Sequence, residues 1–323
     1  MILPCSLRIS IIDICNFRCL YCAKETSMEN YCPEALSKRE LKLDKFCDII
    51  DYLLNKYYFQ KVVLTGGEPL LSNEIEVICK TIKNYEIRLE LNTNGSLFNE
   101  NQMRGLIGYF DEVKISLDTL NSRLYGELSG TDLNYIPSVY DFISFVNDRN
   151  KGLTINTVYC KITEDSTKEL IEYADKEEVN INIMDLYYTD ETKMFWKRNF
   201  MPIQNLINEF EDIYQVKTKE KKDIFGCKFN TYINKNEKYI QFKSSDSGTM
   251  RDNVCDNCIE YCQEGVYSIK LSRQGWLTAC QSNNIHGVDM VLNKDDSSQV
   301  VERVLNCRCD QNSFTKLKER IYY

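Results

Sequence analysis

Short apolar, β-branched runs alternate along the first half of the chain with stretches whose apolar residues recur every three or four positions. The runs are Leu7–Ile12, Lys61–Thr65, Arg88–Asn92, Glu112–Leu117, Thr154–Tyr159 and Asn180–Leu186, and each reads as a strand. Between the first two, 40–57 carries Leu43, Phe46, Ile49, Ile50, Leu53 and Leu54 on one helical face. Stretches 72–84, 137–150 and 167–177 also read as helices, with Pro137 suited to a first turn. Strand–helix alternation predicts βαβ units and a parallel sheet, an α/β fold. Six such units predict a partial (β/α)6 barrel, with ligands beyond the carboxyl ends of its strands.

After Tyr188 the pattern changes. A long charged stretch, 193–222, predicts one helix, and short β-like runs follow at 238–242 and 268–271 within a Cys-rich region. This divides the chain into a barrel, 1–189, and a smaller C-terminal domain, 190–323. No flexible linker or low-complexity tract separates them, so tight packing is expected.

Composition narrows the function. The 323 residues are 43% hydrophobic and 27% charged, as in ordinary globular proteins. A net charge of −8 argues against binding duplex nucleic acid. No apolar stretch is long enough for a transmembrane helix, and residues 1–10 lack the pattern of a signal peptide. The 15 cysteines are odd in number and closely spaced, which suggests metal or cluster ligation in a reducing cytoplasm. A single histidine, His286, argues against histidine acid–base or multi-histidine metal chemistry.

The densest chemistry is Cys15-Asn16-Phe17-Arg18-Cys19-Leu20-Tyr21-Cys22, a C-x3-C-x2-C loop after the first strand. Three thiolates can hold three irons of a [4Fe–4S] cube and leave the fourth iron open. Zinc or a disulfide are the alternatives. Zinc wants a fourth ligand nearby, and the next cysteine, Cys32, is ten residues on. The loop, with Tyr21 before its last cysteine, resembles the signature of radical S-adenosylmethionine (SAM) enzymes. Thr65-Gly66-Gly67-Glu68-Pro69-Leu70 is similar to that family's glycine-rich motif, which receives the amino group of the methionine moiety. The segments carrying Thr93 and Asn94, Ser116 and Asp118, and Asn156 are similar to those that hold the ribose, carboxylate and adenine. Taken alone, each could be ordinary turn or strand chemistry. The resemblance implies one-electron cleavage of SAM to a 5′-deoxyadenosyl radical, which takes hydrogen from a substrate. It also implies an external donor of the flavodoxin or ferredoxin type.

Cys255-x2-Cys258-x3-Cys262, then Gly275-x4-Cys280, resembles the SPASM/Twitch class of auxiliary-cluster domains, and the resemblance implies a second cluster of the [4Fe–4S] type. Zinc is the competing ligand there. Cys227, Cys307 and Cys309 are spare. Across most of the chain the likeness is to the GTP 3′,8-cyclase family of molybdenum-cofactor synthesis. It rests on Leu7–Ser10, Leu64–Leu71, Lys114–Asp118, Leu128-Ser129-Gly130, Thr154–Val158, Gln241-Phe242 and the Cys255/Cys258 pair.

Three features depart from that family. Lys270 stands in place of an arginine-rich strand that grips the triphosphate; Cys262 adds a fourth thiol; the chain ends in Ile321-Tyr322-Tyr323, not Gly-Gly. The sequence therefore favours some other small molecule or a peptide as substrate, with GTP cyclisation as the alternative. The first strand leaves no room ahead of it for a leader-binding domain, so a separate partner would supply one. A non-catalytic iron–sulfur carrier or sensor is a further alternative. Tyr187, Tyr188, Phe195 and Trp196 read as packing more than as a stacking site.

Overall fold

The computed structural model describes residues 2–22, 36, 38–189, 191–213, 229–244, 248–257, 265–280 and 286–310. Six parallel strands form its centre, paired in sequence order: β1 (Ile2–Ser10), β2 (Tyr58–Thr65), β3 (Arg88–Thr93), β4 (Glu112–Ser116), β5 (Gly152–Tyr159) and β6 (Asn180–Asp185). Helices Leu43–Lys56, Ile75–Lys83, Glu100–Leu106, Ser122–Ser129, Ile136–Asn147 and Glu164–Lys176 lie between consecutive strands. The first buries Phe46, Ile49, Ile50, Leu53 and Leu54, the predicted face. Leu7, Ile9, Val62, Leu64, Leu89, Leu91, Val113 and Ile115 are fully buried in the same core. Because strand side chains alternate, the residues between them face the concave side. The sheet is an incomplete barrel, as the alternation predicts.

Within the described part of 193–222 the expected helix is instead two, Lys193–Asn199 and Gln204–Ile213; residues 214–222 lie outside the described residues. Pro202 lies between them, and a proline cannot donate to the preceding turn. The Ile203 amide is held by the Asp185 carboxylate at 3.0 Å. Trp196 is fully buried against Tyr188 and Phe200, and its indole donates to the Leu186 carbonyl at 3.0 Å, so this aromatic group is packing.

The C-terminal strands are β7 (Phe229–Ile233), β8 (Tyr239–Lys243), β9 (Thr249–Arg251), β10 (Ile269–Leu271), β11 (Trp276–Thr278), β12 (Val288–Asp289) and β13 (Arg308–Asp310). Most of them do not build a sheet of their own. β8 pairs parallel with β6, and β10 pairs parallel with β1, giving one sheet of eleven strands among the described residues. An open barrel has two edges with unpaired backbone groups, and the C-terminal segment covers both. Lys243 of β8 and Lys270 of β10 both reach the Tyr267 ring, at 5.3 and 5.9 Å, so the two edges approach each other across the opening.

The amino-terminal end of the barrel is plugged by charge. Glu90 (1% exposed) pairs with Lys61, Lys114 and Arg88, each at 3.0 Å. Glu112 accepts from Arg88 at 2.6 Å and from the Thr154 hydroxyl at 2.6 Å, and Tyr239 closes over Thr154 at 2.8 Å. Burial pushes the Glu90 carboxyl up, but Lys114 and Lys61 outweigh it and hold the group well below its ordinary 4.5. A depressed carboxylate contributes stability above its ordinary value and loses it as pH falls below that value. Acid denaturation of the wild type should therefore steepen below pH 4.5. Glu90→Gln should flatten that limb and cost about 3–5 kcal/mol at pH 7, because it leaves the half-buried Lys61 and Lys114 facing each other without their buried anion. Urea titrations at pH 7 and pH 4 check this; equal stability of the two proteins at both pH values would contradict it. Among the described residues no helix is long and apolar enough to cross a membrane.

Candidate active site at the mouth of the barrel

The C-x3-C-x2-C loop leaves the carboxyl end of β1 and is fastened on both flanks. On one side the Gly67 amide donates to the Ile12 carbonyl (2.7 Å) and the Glu68 amide to the Ile14 carbonyl (2.9 Å). Glycine is required here by close approach. A Cβ on Gly66 would sit 2.3 Å from the Ile12 oxygen, and one on Gly67 would sit 2.2 Å from the Ile14 oxygen. On the other side Arg18 and Leu20 donate to the carbonyls of Ser129 and Leu128, both at 2.9 Å. Between these flanks Phe17 is buried against Tyr125 and Tyr135. The loop thus presents Cys15 and Cys22 exposed and Cys19 half-buried.

Burial pushes the Cys19 thiol up, and Asp118, Cys22 and Cys15 add to that, so the three thiols lie within electrostatic reach of one another. Among the described residues no three His, Cys, Asp or Glu side chains are grouped to hold a metal ion. A cube takes one thiolate on each of three different irons, so it does not require its ligands to crowd around one ion.

Glu68 (1% exposed) is occupied by the protein itself. Its carboxylate accepts from the Leu70 amide (3.0 Å), the Thr93 hydroxyl (2.7 Å) and the Asn94 amide (2.7 Å). Burial pushes its pKa up, and these donors oppose the shift. The residue therefore ties the ends of β2 and β3 together. Asn94 donates to Asn16 at 3.0 Å, and Asn16 donates to Ser96 at 2.8 Å, which joins the β3 turn to the Cys loop. Neither Asn16 nor Ser96 stood out in the sequence; Asn16 follows Cys15 directly, and that adjacency was the available signal. Tyr21 donates to Asp118, whose other oxygen accepts from the Val158 amide at 2.8 Å. Burial pushes both Tyr21 and Asp118 up.

Register aligns Ser116, Asn156, Asn182 and Gln241 across β4, β5, β6 and β8, one row of neutral polar groups on the concave face. Asn182 donates to Asn156 at 2.9 Å. The Asn182 and Asn92 side-chain oxygens are buried without a hydrogen-bond partner among the described residues. Buried polar atoms are normally satisfied, so these orphans suit a polar ligand inside the barrel. Donor set, glycine cradle and orphaned amides together fit a cluster with SAM beside it.

At the C-terminal site, Cys255 lies on the 3-10 helix Asn253–Asn257 and Cys280 is buried just beyond β11. Cys227, Cys258 and Cys262 lie outside the described residues. Cys309 sits on β13, opposite Met250 of β9.

The sequence model of the Radical SAM superfamily matches residues 9–174. The chain belongs to the Radical SAM superfamily. It is a SAM-dependent iron–sulfur enzyme, as the Cys loop and Gly66-Gly67-Glu68-Pro69 imply. It is 27% identical over 282 residues to a probable GTP 3′,8-cyclase of Pyrococcus abyssi, covering 85% of this chain and 84% of that one. It is 26% identical over 318 residues to the GTP 3′,8-cyclase of Campylobacter jejuni subsp. doylei, covering 96% and 91%. Two solved structures share the fold. Streptococcus suis SuiB bound to S-adenosylmethionine superposes with TM-score 0.60 at 15% identity, over 92% of this chain and 64% of SuiB. Native anSMEcpe with bound AdoMet gives 0.59 at 16%, over 93% and 82%. The chain thus spans just under two thirds of SuiB.

Proposed function

We propose that this radical SAM enzyme is a GTP 3′,8-cyclase, or acts on a closely related purine nucleotide. The observation that carries the reading is the extent of likeness. Curated relatives of that name align over nearly the whole chain, well past the superfamily match that ends at residue 174. This outweighs the preference, drawn from Lys270 in place of arginines, for a different small molecule or a peptide. Charge on the concave face supports an anionic substrate. Arg8 lies beside Lys270 in the β1–β10 register, and Lys270 and Lys243 flank Tyr267. A lysine binds phosphate as a point charge, without the fork of an arginine.

When bound, a [4Fe–4S] cluster and SAM supply one-electron cleavage of the sulfonium and the radical that takes hydrogen from the substrate. The residues do the rest. Cys15, Cys19 and Cys22 would hold the cluster. The backbone of Gly66 and Gly67, which the absence of side chains lets lie against the Cys loop, would receive the methionine amino group, with Pro69 stiffening the turn. Tyr21, Thr93, Asn94, Ser116, Asp118 and Asn156 surround the same mouth and would orient the cofactor, Asp118 by fixing Tyr21. Glu68 acts in this reading through Thr93 and Asn94. Residues 1–189 form the catalytic barrel. Residues 190–323 form an auxiliary part whose Cys255, Cys258, Cys262 and Cys280 hold a second [4Fe–4S] cluster, and a flavodoxin- or ferredoxin-type donor supplies electrons.

Joining C3′ to C8 of GTP requires a hydrogen to leave C3′. Reconstituted enzyme given SAM, dithionite and GTP deuterated at C3′ should therefore form 5′-deoxyadenosine carrying deuterium, in step with GTP loss. GTP-independent 5′-deoxyadenosine without deuterium would overturn the substrate and leave the radical chemistry standing.

A further inference from the structure

Helix Ser297–Leu305 packs against β1, β10 and β11 and carries Arg303 to the C-terminal cysteines. The Arg303 side chain, 11% exposed, pairs with Asp252, 4% exposed, through Nε at 2.5 Å and Nη2 at 3.3 Å. The same Asp252 carboxylate meets Cys255: it accepts from the amide at 3.2 Å and from Sγ at 3.1 Å. Arg303 is also within electrostatic reach of both Cys255 and Cys280. Its remaining nitrogen, Nη1, is buried and has no hydrogen-bond partner among the described residues. A buried guanidinium N–H left unpaired costs free energy.

We propose that Arg303 is the counter-cation of the second cluster: Nη1 donates to a cluster or thiolate sulfur and raises its reduction potential. The inference rests on the auxiliary-cluster reading given above. A cluster held by cysteine thiolates is a buried anion, and such a charge needs a paired cation. Reduction adds one more negative charge. A fixed positive charge and a hydrogen bond to sulfur therefore favour the reduced form, while Asp252 opposes it. The two partners of one ion pair shift the potential in opposite senses. A purely structural pair would not.

The test uses the full chain with Cys15, Cys19 and Cys22 changed to alanine, so that the auxiliary cluster alone is read. Potentiometric titration followed by electron paramagnetic resonance is run with Arg303→Gln, Arg303→Lys and Asp252→Asn. At a fixed potential the reduced-to-oxidised ratio should fall at least about tenfold in Arg303→Gln, some 59 mV for one electron. It should fall less in Arg303→Lys and rise in Asp252→Asn. Unchanged potentials, or the same direction for Arg303→Gln and Asp252→Asn, overturn the inference alone. About four irons per wild-type chain with one zinc, instead of about eight, overturns the cluster reading and the inference with it.

Discussion

Cys19→Ala is expected to reduce 5′-deoxyadenosine formation to the level of a protein-free control. Cys19 is the middle thiol of the loop and the most enclosed of the three, with Asp118, Cys15 and Cys22 around it. Two thiolates cannot hold the cube that three were placed to hold. The fold should survive, because the loop's anchors are backbone bonds from Arg18, Leu20, Gly67 and Glu68 and the buried Phe17 ring. Iron should fall from about eight to about four per chain, with the C-terminal site retained. Iron analysis, thermal melting and product chromatography on the same sample check all three statements. A variant that melts like wild type yet still makes 5′-deoxyadenosine would remove this loop from the chemistry. The carrier or sensor alternative makes a different forecast: no 5′-deoxyadenosine from the wild type either.

Gly67→Ala should be nearly as damaging, for a steric reason. Its Cβ would lie 2.2 Å from the Ile14 oxygen and 2.8 Å from the Cys15 nitrogen, and both are backbone atoms with nowhere to retreat. The Cys loop and the glycine turn must then separate, breaking the Gly67–Ile12 and Glu68–Ile14 hydrogen bonds. Overpacking of this kind costs about 1–3 kcal/mol. The functional loss should be larger, because Cys15 moves with the loop. The control is Gly105→Ala, in a helix with nothing within 4 Å of the added carbon. That change should be neutral or stabilising by up to about 1 kcal/mol. Thermal melts and first-site iron content separate the two, and equal iron retention in both variants would contradict the clash.

Much of this was legible in the sequence because the signals were local. Short apolar, β-branched runs located the six central strands, the 3.6-residue face of Leu43–Lys56 located its buried stripe, and the cysteine spacing located the loop. Long-range pairing was not legible. Nothing in Tyr239–Lys243 or Ile269–Leu271 says that one joins β6 and the other β1, since both are short runs whose partners are distant in sequence. The amide row on Ser116, Asn156, Asn182 and Gln241 emerges only when register is known. The Arg303–Asp252 pair spans 51 positions and left no motif. Glu68 shows the reverse limit. Its place in a glycine-rich motif suggested a ligand contact, while its oxygens serve Leu70, Thr93 and Asn94.

The most direct test of the central claim is anaerobic. The protein is reconstituted with iron and sulfide, reduced with dithionite and given SAM together with GTP, and 5′-deoxyadenosine is quantified against bound iron. 5′-Deoxyadenosine is expected from a chain carrying about eight irons. A fully loaded, reducible protein that forms none would contradict it.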